Sequence, residues 1–366
     1  MPSPTSDQNL PHIAGRGAQT NPNNRFHKIQ FQADYGQLEG DDEFFQDLNK
    51  VSTEYFDDDS QSILTENSSP DIPFRYSLNP YRGCAHGCAY CYARPTHEYL
   101  GLSAGVDFES KIFVKKRAAE LLHEKLSKKS WQSEPIMMSG VTDCYQPAEK
   151  QFRITRGCLE VARQFGQPIG IVTKNALITR DIDILADMAR HNLTRVAISL
   201  TSLDQSLTRV LEPRTSSPAA RLRAMRELSS AGIPVIVMTA PIIPGLNDSE
   251  IPSLLQAAHE HGAIFAGYTL LRLPLTVKPV FLDWLAKNVP SQQAKIEHLI
   301  QQTRAGGHNQ SLTGDHFRNR SNRHPWRHSG HHMWVTSLSN RVDAPVFNPQ
   351  IRLVNTCIVE NHGIGD

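Results

Sequence analysis

The most informative part of the chain is a cysteine-rich segment, Asn79-Pro-Tyr-Arg-Gly-Cys84-Ala-His-Gly-Cys88-Ala-Tyr-Cys91-Tyr-Ala. Its three cysteines follow the spacing Cys-x3-Cys-x2-Cys, and no fourth cysteine follows nearby. Clustered thiolates bind soft metals or iron–sulfur clusters. A four-iron cube held by three thiolates leaves one iron open to a reacting molecule. The segment therefore predicts a [4Fe–4S] cluster on Cys84, Cys88 and Cys91.

Two other interpretations of these cysteines stay open. A structural zinc ion needs four protein ligands, and His86 or His97 could complete such a set. A disulfide is less consistent with the sequence, because nothing in the chain indicates secretion.

Composition limits the functional class and the compartment. The chain has 38 basic and 37 acidic residues, so no overall electric field indicates binding to nucleic acid or to a membrane. No run of about 18 apolar residues occurs, and the N-terminus is polar, so neither a membrane span nor a signal peptide is predicted. Six cysteines, three of them clustered, fit a reducing cytoplasm.

Apolar and amphipathic segments alternate from about residue 134 to residue 271. Four helices are predicted in this region. The first carries an apolar stripe that ends at Gly166, and the others begin after a cap near Thr179, at Ser217-Pro218 and after a cap at Ser249. The predicted strands are residues 135–139, 169–172, 195–200, 234–238 and 263–271.

Buried strands that alternate with helices predict a parallel sheet covered on both faces. The cysteine segment would follow a first strand ahead of these five, which makes six βα units. The repeated order suits a barrel or partial barrel, whose active site lies at the carboxyl ends of the strands. A doubly wound open sheet is the alternative.

The two ends of the chain differ from this core. Residues 1–75 hold 13 acidic and 5 basic residues and are predicted to be largely extended or disordered. Within them, Gly15-Arg16-Gly17-Ala18 and Asn24-Arg25-Phe26 could form a docking segment, although a solvated tail is favoured. The core is placed at 76–275 and C-terminal helices at 276–306. Residues 307–366 are predicted to be an irregular tail rich in His and Arg, with a basic nucleic-acid arm as the alternative.

The cysteine string, with an aromatic residue before its third cysteine, resembles the signature of the radical S-adenosylmethionine (SAM) superfamily. In that family the open iron chelates the amino and carboxylate groups of SAM. An electron from the cluster then cleaves SAM to methionine and a 5′-deoxyadenosyl radical. The resemblance implies a partial (βα)6 TIM-like barrel with parallel strands, and it implies that Tyr90 packs beside the adenine.

Polar residues at the predicted strand ends are candidate contacts for the cofactor. The resemblance implies that the stretch with Thr142 and Asp143 receives the methionine amino group, while a turn with a helix cap is the structural alternative. Lys174 could meet the SAM carboxylate or be a surface lysine, and Ser199 could reach the ribose. Two further pairs are candidates. Ser139 and Gly140 form a stretch that the cofactor could approach closely, and Ile243 and Gly245 resemble the family's backbone contact to adenine.

A narrower resemblance is to an uncharacterised bacterial subfamily related to spore photoproduct lyases and described as DNA repair photolyase-like. It runs from about residue 12 to residue 305, and the C-terminal tail departs from it. The segments that carry it are Ser77–Cys84, Cys91–Gly101, Val141–Pro147, Ala240–Asp248 and Leu271–Leu275.

Two further cysteines fall within the core pattern. Cys158 lies in the apolar helical stripe and is interpreted as a small core residue. Cys144 lies at a predicted strand end beside Asp143, where a thiol could give a hydrogen atom to a substrate radical, as a cysteine does in spore photoproduct lyases. A buried inert thiol is the alternative for Cys144. Cys357 lies in the tail and is assigned no role.

The sequence is thus interpreted as a cytoplasmic radical SAM enzyme that acts on an unidentified substrate and receives electrons from a donor such as flavodoxin or ferredoxin. The substrate could be a nucleic acid, and no membrane is expected to be involved. A lyase for DNA lesions is the second hypothesis. A non-catalytic iron–sulfur or zinc module is the third.

Overall fold

The computed structural model describes residues 13–26, 51–67 and 74–303, together with the backbone of residues 352–355. Its strands are β1 (Glu54–Asp57), β2 (Leu64–Glu66), β3 (Tyr76–Leu78), β4 (Tyr81–Arg82), β5 (Lys111–Val114), β6 (Ile136–Met138), β7 (Ile169–Thr173), β8 (Thr194–Ser199), β9 (Val235–Ile242), β10 (Ala263–Leu270) and β11 (Arg352–Asn355). Its α-helices are α1 (Val106–Ser110), α2 (Ala118–Leu126), α3 (Glu149–Phe152), α4 (Ile154–Gln164), α5 (Ile182–Arg190), α6 (Gln205–Leu211), α7 (Pro218–Ser230), α8 (Ile251–Glu260), α9 (Val277–Asn288) and α10 (Gln293–Thr303).

The main sheet confirms the predicted parallel architecture. Strands β3, β6, β7, β8, β9 and β10 lie side by side in chain order, and every neighbouring pair among them is parallel. A doubly wound sheet would reverse its strand order at a switch point, whereas this order runs in one direction. The fold is therefore a partial (βα)6 barrel, and the doubly wound alternative is wrong.

The edges of this sheet are formed by two further strands. Strand β2 pairs antiparallel with β3 at one edge, and the backbone of β11 pairs parallel with β10 at the other. Apart from that strand, the predicted basic tail lies outside the described residues.

Helices cover the sheet with apolar stripes, as α4 shows. In α4 the buried positions include Cys158, Leu159 and Ala162, and they pack into the same core as the buried strand β6. The C-terminal helices α9 and α10 instead pack into a second core with Ile243 and Tyr90, beside the cysteine segment. Both helices lie within residues 276–306, and the proposed domain boundaries stay predictions.

Two predicted helix starts are displaced. The chain leaves β7 through a short 3₁₀-helix, Ala176–Asp181, which Asn175 caps by accepting from the Leu177 N–H at 3.0 Å. Thr179 lies inside this turn, so α5 begins only at Ile182. Likewise Ser249 lies in the 3₁₀-helix Asp248–Glu250 and does not cap α8.

The predicted start at Ser217-Pro218 is confirmed. Ser217 Oγ accepts from the Ala220 N–H at 3.3 Å, and Pro218 occupies the first helical position of α7. No helix of the described residues is long and apolar enough to cross a membrane.

Candidate active site

The cysteine segment leaves β4 as a loop whose two glycines are both required. Gly83 and Gly87 have φ angles of 76° and 68°, in the region that favours glycine. A Cβ on Gly83 would lie 2.8 Å from the His97 ring, and one on Gly87 would lie 2.6 Å from a carboxylate oxygen of Glu109. Neither position has room for a side chain.

Backbone and side-chain hydrogen bonds hold the loop from several directions. The Cys84 N–H donates to the Phe108 carbonyl at 2.9 Å, and the Ala89 N–H donates to the Leu211 carbonyl at 3.0 Å. The fully buried Arg94 donates to the Cys88 carbonyl at 2.7 Å and forms an ion pair with Glu109. The cysteines are thus attached to a rigid support.

An N-terminal segment, residues 13–26, lies directly against this loop. The Gly17 and Ala18 N–H groups donate to the Glu109 carboxylate at 3.1 and 2.7 Å, and Ala18 is fully buried. Asn24 donates to the Glu98 carbonyl at 2.9 Å. For these residues the solvated-tail interpretation is wrong and the docking alternative is correct, because Glu109 gives the backbone a buried anionic partner.

Gly17 provides a test of this contact. A Cβ on Gly17 would lie 1.9 Å from the Gly87 carbonyl oxygen, a distance at which backbone must move. We expect Gly17→Ala to detach the N-terminal segment from the cysteine loop and to increase proteolytic cleavage within residues 13–26. Limited proteolysis followed by mass spectrometry measures this.

Gly166→Ala is a control for Gly17→Ala. Gly166 has a positive φ of 60°, which Gly17 does not have, and nothing lies within 4 Å of its added Cβ. Gly166→Ala should lose only the stability that the strained φ costs, and the N-terminal segment should stay protected from proteolysis. Equal protection of that segment in Gly17→Ala and the wild type would show that the close approach is not required.

The three candidate ligands are free thiols in a mostly buried setting. Cys84 and Cys88 are buried and Cys91 is half-buried. Burial raises the pKa of the Cys88 and Cys91 thiols. Burial also acts to raise the pKa of Cys84, but the charge and hydrogen bond of His86 outweigh it and lower that pKa.

Three free thiols on one loop are a donor set that fits an iron–sulfur cluster. Among the described residues, no three side chains of His, Cys, Asp or Glu form a group that could hold one metal ion. His97 Nε2 lies 2.9 Å from the Lys111 carbonyl, while its buried Nδ1 has no hydrogen-bond partner among the described residues.

Asp143 lies beside the loop, but its oxygens already have protein partners. Thr173 Oγ1 and the Tyr145 N–H donate to Oδ1 at 2.7 and 2.9 Å, and the Lys174 N–H donates to Oδ2 at 2.8 Å. His86 Nδ1 lies 3.3 Å from Oδ2. Burial raises the pKa of Asp143, yet His86 and these donors lower it to about 2. A carboxylate offers about four lone-pair sites, so an ammonium would have to displace one of these partners.

Thr142 also supports the loop. Its hydroxyl donates to the Gly83 carbonyl at 2.7 Å and accepts from Gln146 Nε2 at 3.0 Å. Contact of Thr142 and Asp143 with a cofactor stays a prediction, while their visible role is to fix the start of the cysteine loop.

Ser139 and Gly140 form the turn after β6. Ser139 has a φ of 76° and its hydroxyl accepts from the Cys144 N–H at 3.0 Å. Tyr92, which follows the third cysteine, donates its hydroxyl to the Gly140 carbonyl. The structure therefore brings this predicted strand end into contact with the cysteine segment.

Lys174 and Tyr90 face each other on the other side of the loop. The Lys174 ammonium lies 5.8 Å from the centroid of the Tyr90 ring. Burial acts to lower the pKa of Lys174, but the nearby Cys88 and Glu212 raise it. Lys174 is thus a half-buried cation held beside the cysteines, and the surface-lysine alternative does not fit its position.

A buried ion pair beneath Tyr90 was not anticipated from the sequence. Glu212 and Arg221 are in contact, and both are buried. Glu212 also accepts from the Tyr90 hydroxyl and from Thr201 Oγ1, the latter at 2.6 Å. Burial raises the pKa of Glu212, but the charges of Arg221 and Lys174 lower it to about 2. Arg221 also donates to the Ser199 carbonyl at 3.0 Å, so the predicted strand end at Ser199 rests on this pair.

Ile243 and Gly245 lie in the turn after β9. The Ile243 N–H donates to Asn247 Oδ1 at 2.7 Å, and Ile243 packs in the same core as Cys88 and Tyr90. Gly245 has a φ of 79°, and a Cβ there would lie 2.8 Å from Leu299 of α10. These contacts place the turn beside the cysteine segment, and its contact with adenine stays a prediction.

Cys144 is fully buried in the main core, which also contains Leu78 and Met138. Burial raises the pKa of its thiol well above the usual value, so the thiol is protonated. This placement favours the inert core thiol, and hydrogen donation by Cys144 stays a prediction. Cys158 is likewise fully buried, as its position in the helical stripe implies.

Comparison with known sequences identifies one family. The sequence profile of the radical SAM superfamily matches residues 78–258. An uncharacterised protein of Mycobacterium tuberculosis is 37% identical over 232 residues, which cover 62% of this chain and 68% of that protein. An uncharacterised protein of Methanocaldococcus jannaschii is 31% identical over 176 residues, which cover 48% of this chain and 63% of that protein.

Solved structures with a similar fold include spore photoproduct lyase in complex with dinucleoside spore photoproduct. Its TM-score is 0.47 at 18% identity, covering 69% of this chain and 80% of that one. A second is the radical SAM methyltransferase TsrM from Kitasatospora setae with cobalamin and a [4Fe–4S] cluster, with a TM-score of 0.41 at 14% identity over 57% of this chain and 37% of that one.

Proposed function

The chain belongs to the radical SAM superfamily, and we propose that it is an enzyme that binds a [4Fe–4S] cluster on Cys84, Cys88 and Cys91 and cleaves SAM reductively. The observation that carries the proposal is the set of three free thiols on one loop that hydrogen bonds hold at the carboxyl end of the sheet. When bound, the cluster supplies the electron that cleaves SAM to methionine and a 5′-deoxyadenosyl radical. The protein's part is to bind, orient and shield these groups.

The chain offers a cation and an aromatic ring beside the loop for two parts of SAM. Lys174 is the cation for the carboxylate, and its raised pKa keeps it charged at neutral pH. Tyr90, whose ring lies beside the Lys174 ammonium, is the aromatic group for the adenine. Burial of the loop excludes water, which protects a reactive radical from side reactions.

The proposed cluster would need an electron donor and a compartment that keeps thiols reduced. We expect a small acidic electron-transfer protein such as flavodoxin or ferredoxin to reduce the cluster, in a reducing cytoplasm where thiols stay free. A lyase for DNA lesions remains the second hypothesis. It requires DNA binding that weakens steeply with salt.

Anaerobic reconstitution with iron and sulfide tests the proposal. We expect about four iron atoms per chain, as a [4Fe–4S] centre requires, and an electron paramagnetic resonance spectrum of the reduced protein that changes when SAM is added. Reduced protein should then convert SAM to methionine and 5′-deoxyadenosine.

Each negative result of this experiment would have a different meaning. About one zinc and no iron per chain would identify a zinc module. A four-iron protein whose spectrum does not respond to saturating SAM would be an iron–sulfur module without catalysis. Either result would overturn the proposed enzyme.

A further inference from the structure

Two arginines from distant parts of the chain meet at one threonine hydroxyl beside the cysteine loop. Arg16 Nη2 and Arg214 Nη1 both donate to Thr53 Oγ1, each at 3.0 Å. Arg16 comes from the N-terminal segment, Thr53 directly precedes β1, and Arg214 follows α6. The Arg214 N–H also donates to the His86 carbonyl at 3.2 Å, which places this group against the loop.

The positive charge at this position is uncompensated among the described residues. Neither guanidinium there forms an ion pair with a described carboxylate. Arg16 is only 3% exposed, and burial together with the charge of Arg214 lowers its pKa to about 10. The nearby Glu109 carboxylate is already held by Arg94 and by the Gly17 and Ala18 N–H groups.

Donors without an acceptor converge on the same position. The buried Arg16 Nε has no hydrogen-bond partner. This nitrogen lies on the same edge of the guanidinium as Nη2, which donates to Thr53 Oγ1 and to the Val51 carbonyl, the latter at 2.8 Å. Both lone pairs of the Thr53 hydroxyl are taken by the two arginines, so its own proton is left to donate. Arg214 is half-buried and donates through Nε to the Gly15 carbonyl at 3.1 Å, and its Nη2 has no acceptor within the described part of the chain.

We propose that Arg16, Thr53 and Arg214 form a binding site for a phosphate-type dianion, either inorganic phosphate or the phosphate group of a small monoester. A dianion would balance both guanidinium charges, whereas a carboxylate would balance only one. A tetrahedral oxyanion accepts from several directions at once and matches the fork geometry of arginine. Its binding would join the N-terminal segment, the residue before β1 and the loop after α6.

Calorimetric titration of the full-length reconstituted protein tests the site in buffer free of phosphate and sulfate. Separate titrations use inorganic phosphate, glycerol 2-phosphate and acetate. We expect both phosphates to bind and acetate to give no signal. Bound phosphate should also raise the melting temperature, because a ligand of the native state stabilises it. The phosphate compound that binds more tightly identifies the source of the group, which is either free phosphate or a monoester.

Arg214→Gln should weaken phosphate binding about tenfold or more, as the loss of a charge-assisted hydrogen bond predicts. Thr53→Val removes the hydroxyl with little change of shape and should also weaken binding. Arg226→Gln is the matched control, since Arg226 is an exposed arginine on α7, and it should bind as the wild type does. Absence of phosphate binding to the wild type, or unchanged affinity in both site variants, would overturn the proposal. The cysteines are not involved, so this test is independent of the cluster.

Discussion

Replacement of any one of Cys84, Cys88 or Cys91 by Ala is expected to abolish iron binding after anaerobic reconstitution. In the proposed cluster each thiolate would bind a different iron, so the loss of one thiolate would leave only two protein ligands. The loss should therefore be nearly complete rather than graded. Iron and sulfide analysis, with the visible absorbance of the cluster, measures it.

Cys158→Ala is the control for these variants. Cys158 is fully buried in α4 and packs with the main core, so its removal leaves a small cavity. It should lower the free energy of unfolding by about 1 kcal/mol, typical of a point change, while full iron binding is retained. A Cys88→Ala protein that is folded and still binds about four irons would show that the proposed ligand set is wrong.

The architecture was predictable because the strands and the cysteines carry local signals. Strands such as β7 and β8 are buried runs of apolar residues between helices, and that pattern is readable without the structure. The cysteine spacing is likewise a property of one short segment. Glycine positions after the helices, such as Gly232 with a φ of 78°, also follow from local chemistry.

The N-terminal segment could not be placed in the same way, because its partner is far away in sequence. Its acidic surroundings indicate a solvated tail. The buried contact instead depends on Glu109, which receives the Gly17 and Ala18 N–H groups. The one available signal was the pair of glycines around Arg16, since glycine permits close backbone approach.

Charged residues in the core were missed for a related reason. In sequence, Glu212 and Arg221 look like ordinary solvated charges near the ends of α6 and α7. Only the fold buries them together beneath Tyr90. Candidate residues at strand ends were easier to find, because parallel strands end at one edge of the sheet. Whether such a residue faces a cofactor or supports a loop, as Asp143 does, depends on side-chain geometry.

Arg221→Met is expected to destabilise the protein by about 3–5 kcal/mol, because it leaves the Glu212 carboxylate buried without its main partner. The substitution also removes the donors to the Ser199 and Ser216 carbonyls, at 3.0 and 2.8 Å. Denaturant unfolding of the wild type and the variant at neutral pH measures the difference.

The double variant Arg221→Met/Glu212→Gln tests the cause of that loss. Without its charge, residue 212 can still accept from Tyr90 and Thr201, so the double variant should be more stable than Arg221→Met alone. In Arg221→Met, burial is expected to raise the pKa of Glu212 above its unfolded value. The deficit should then shrink as the pH falls and the carboxylate is protonated. A deficit that is equal at neutral and acidic pH, with no recovery in the double variant, would show that lost packing and not the unpaired charge is responsible.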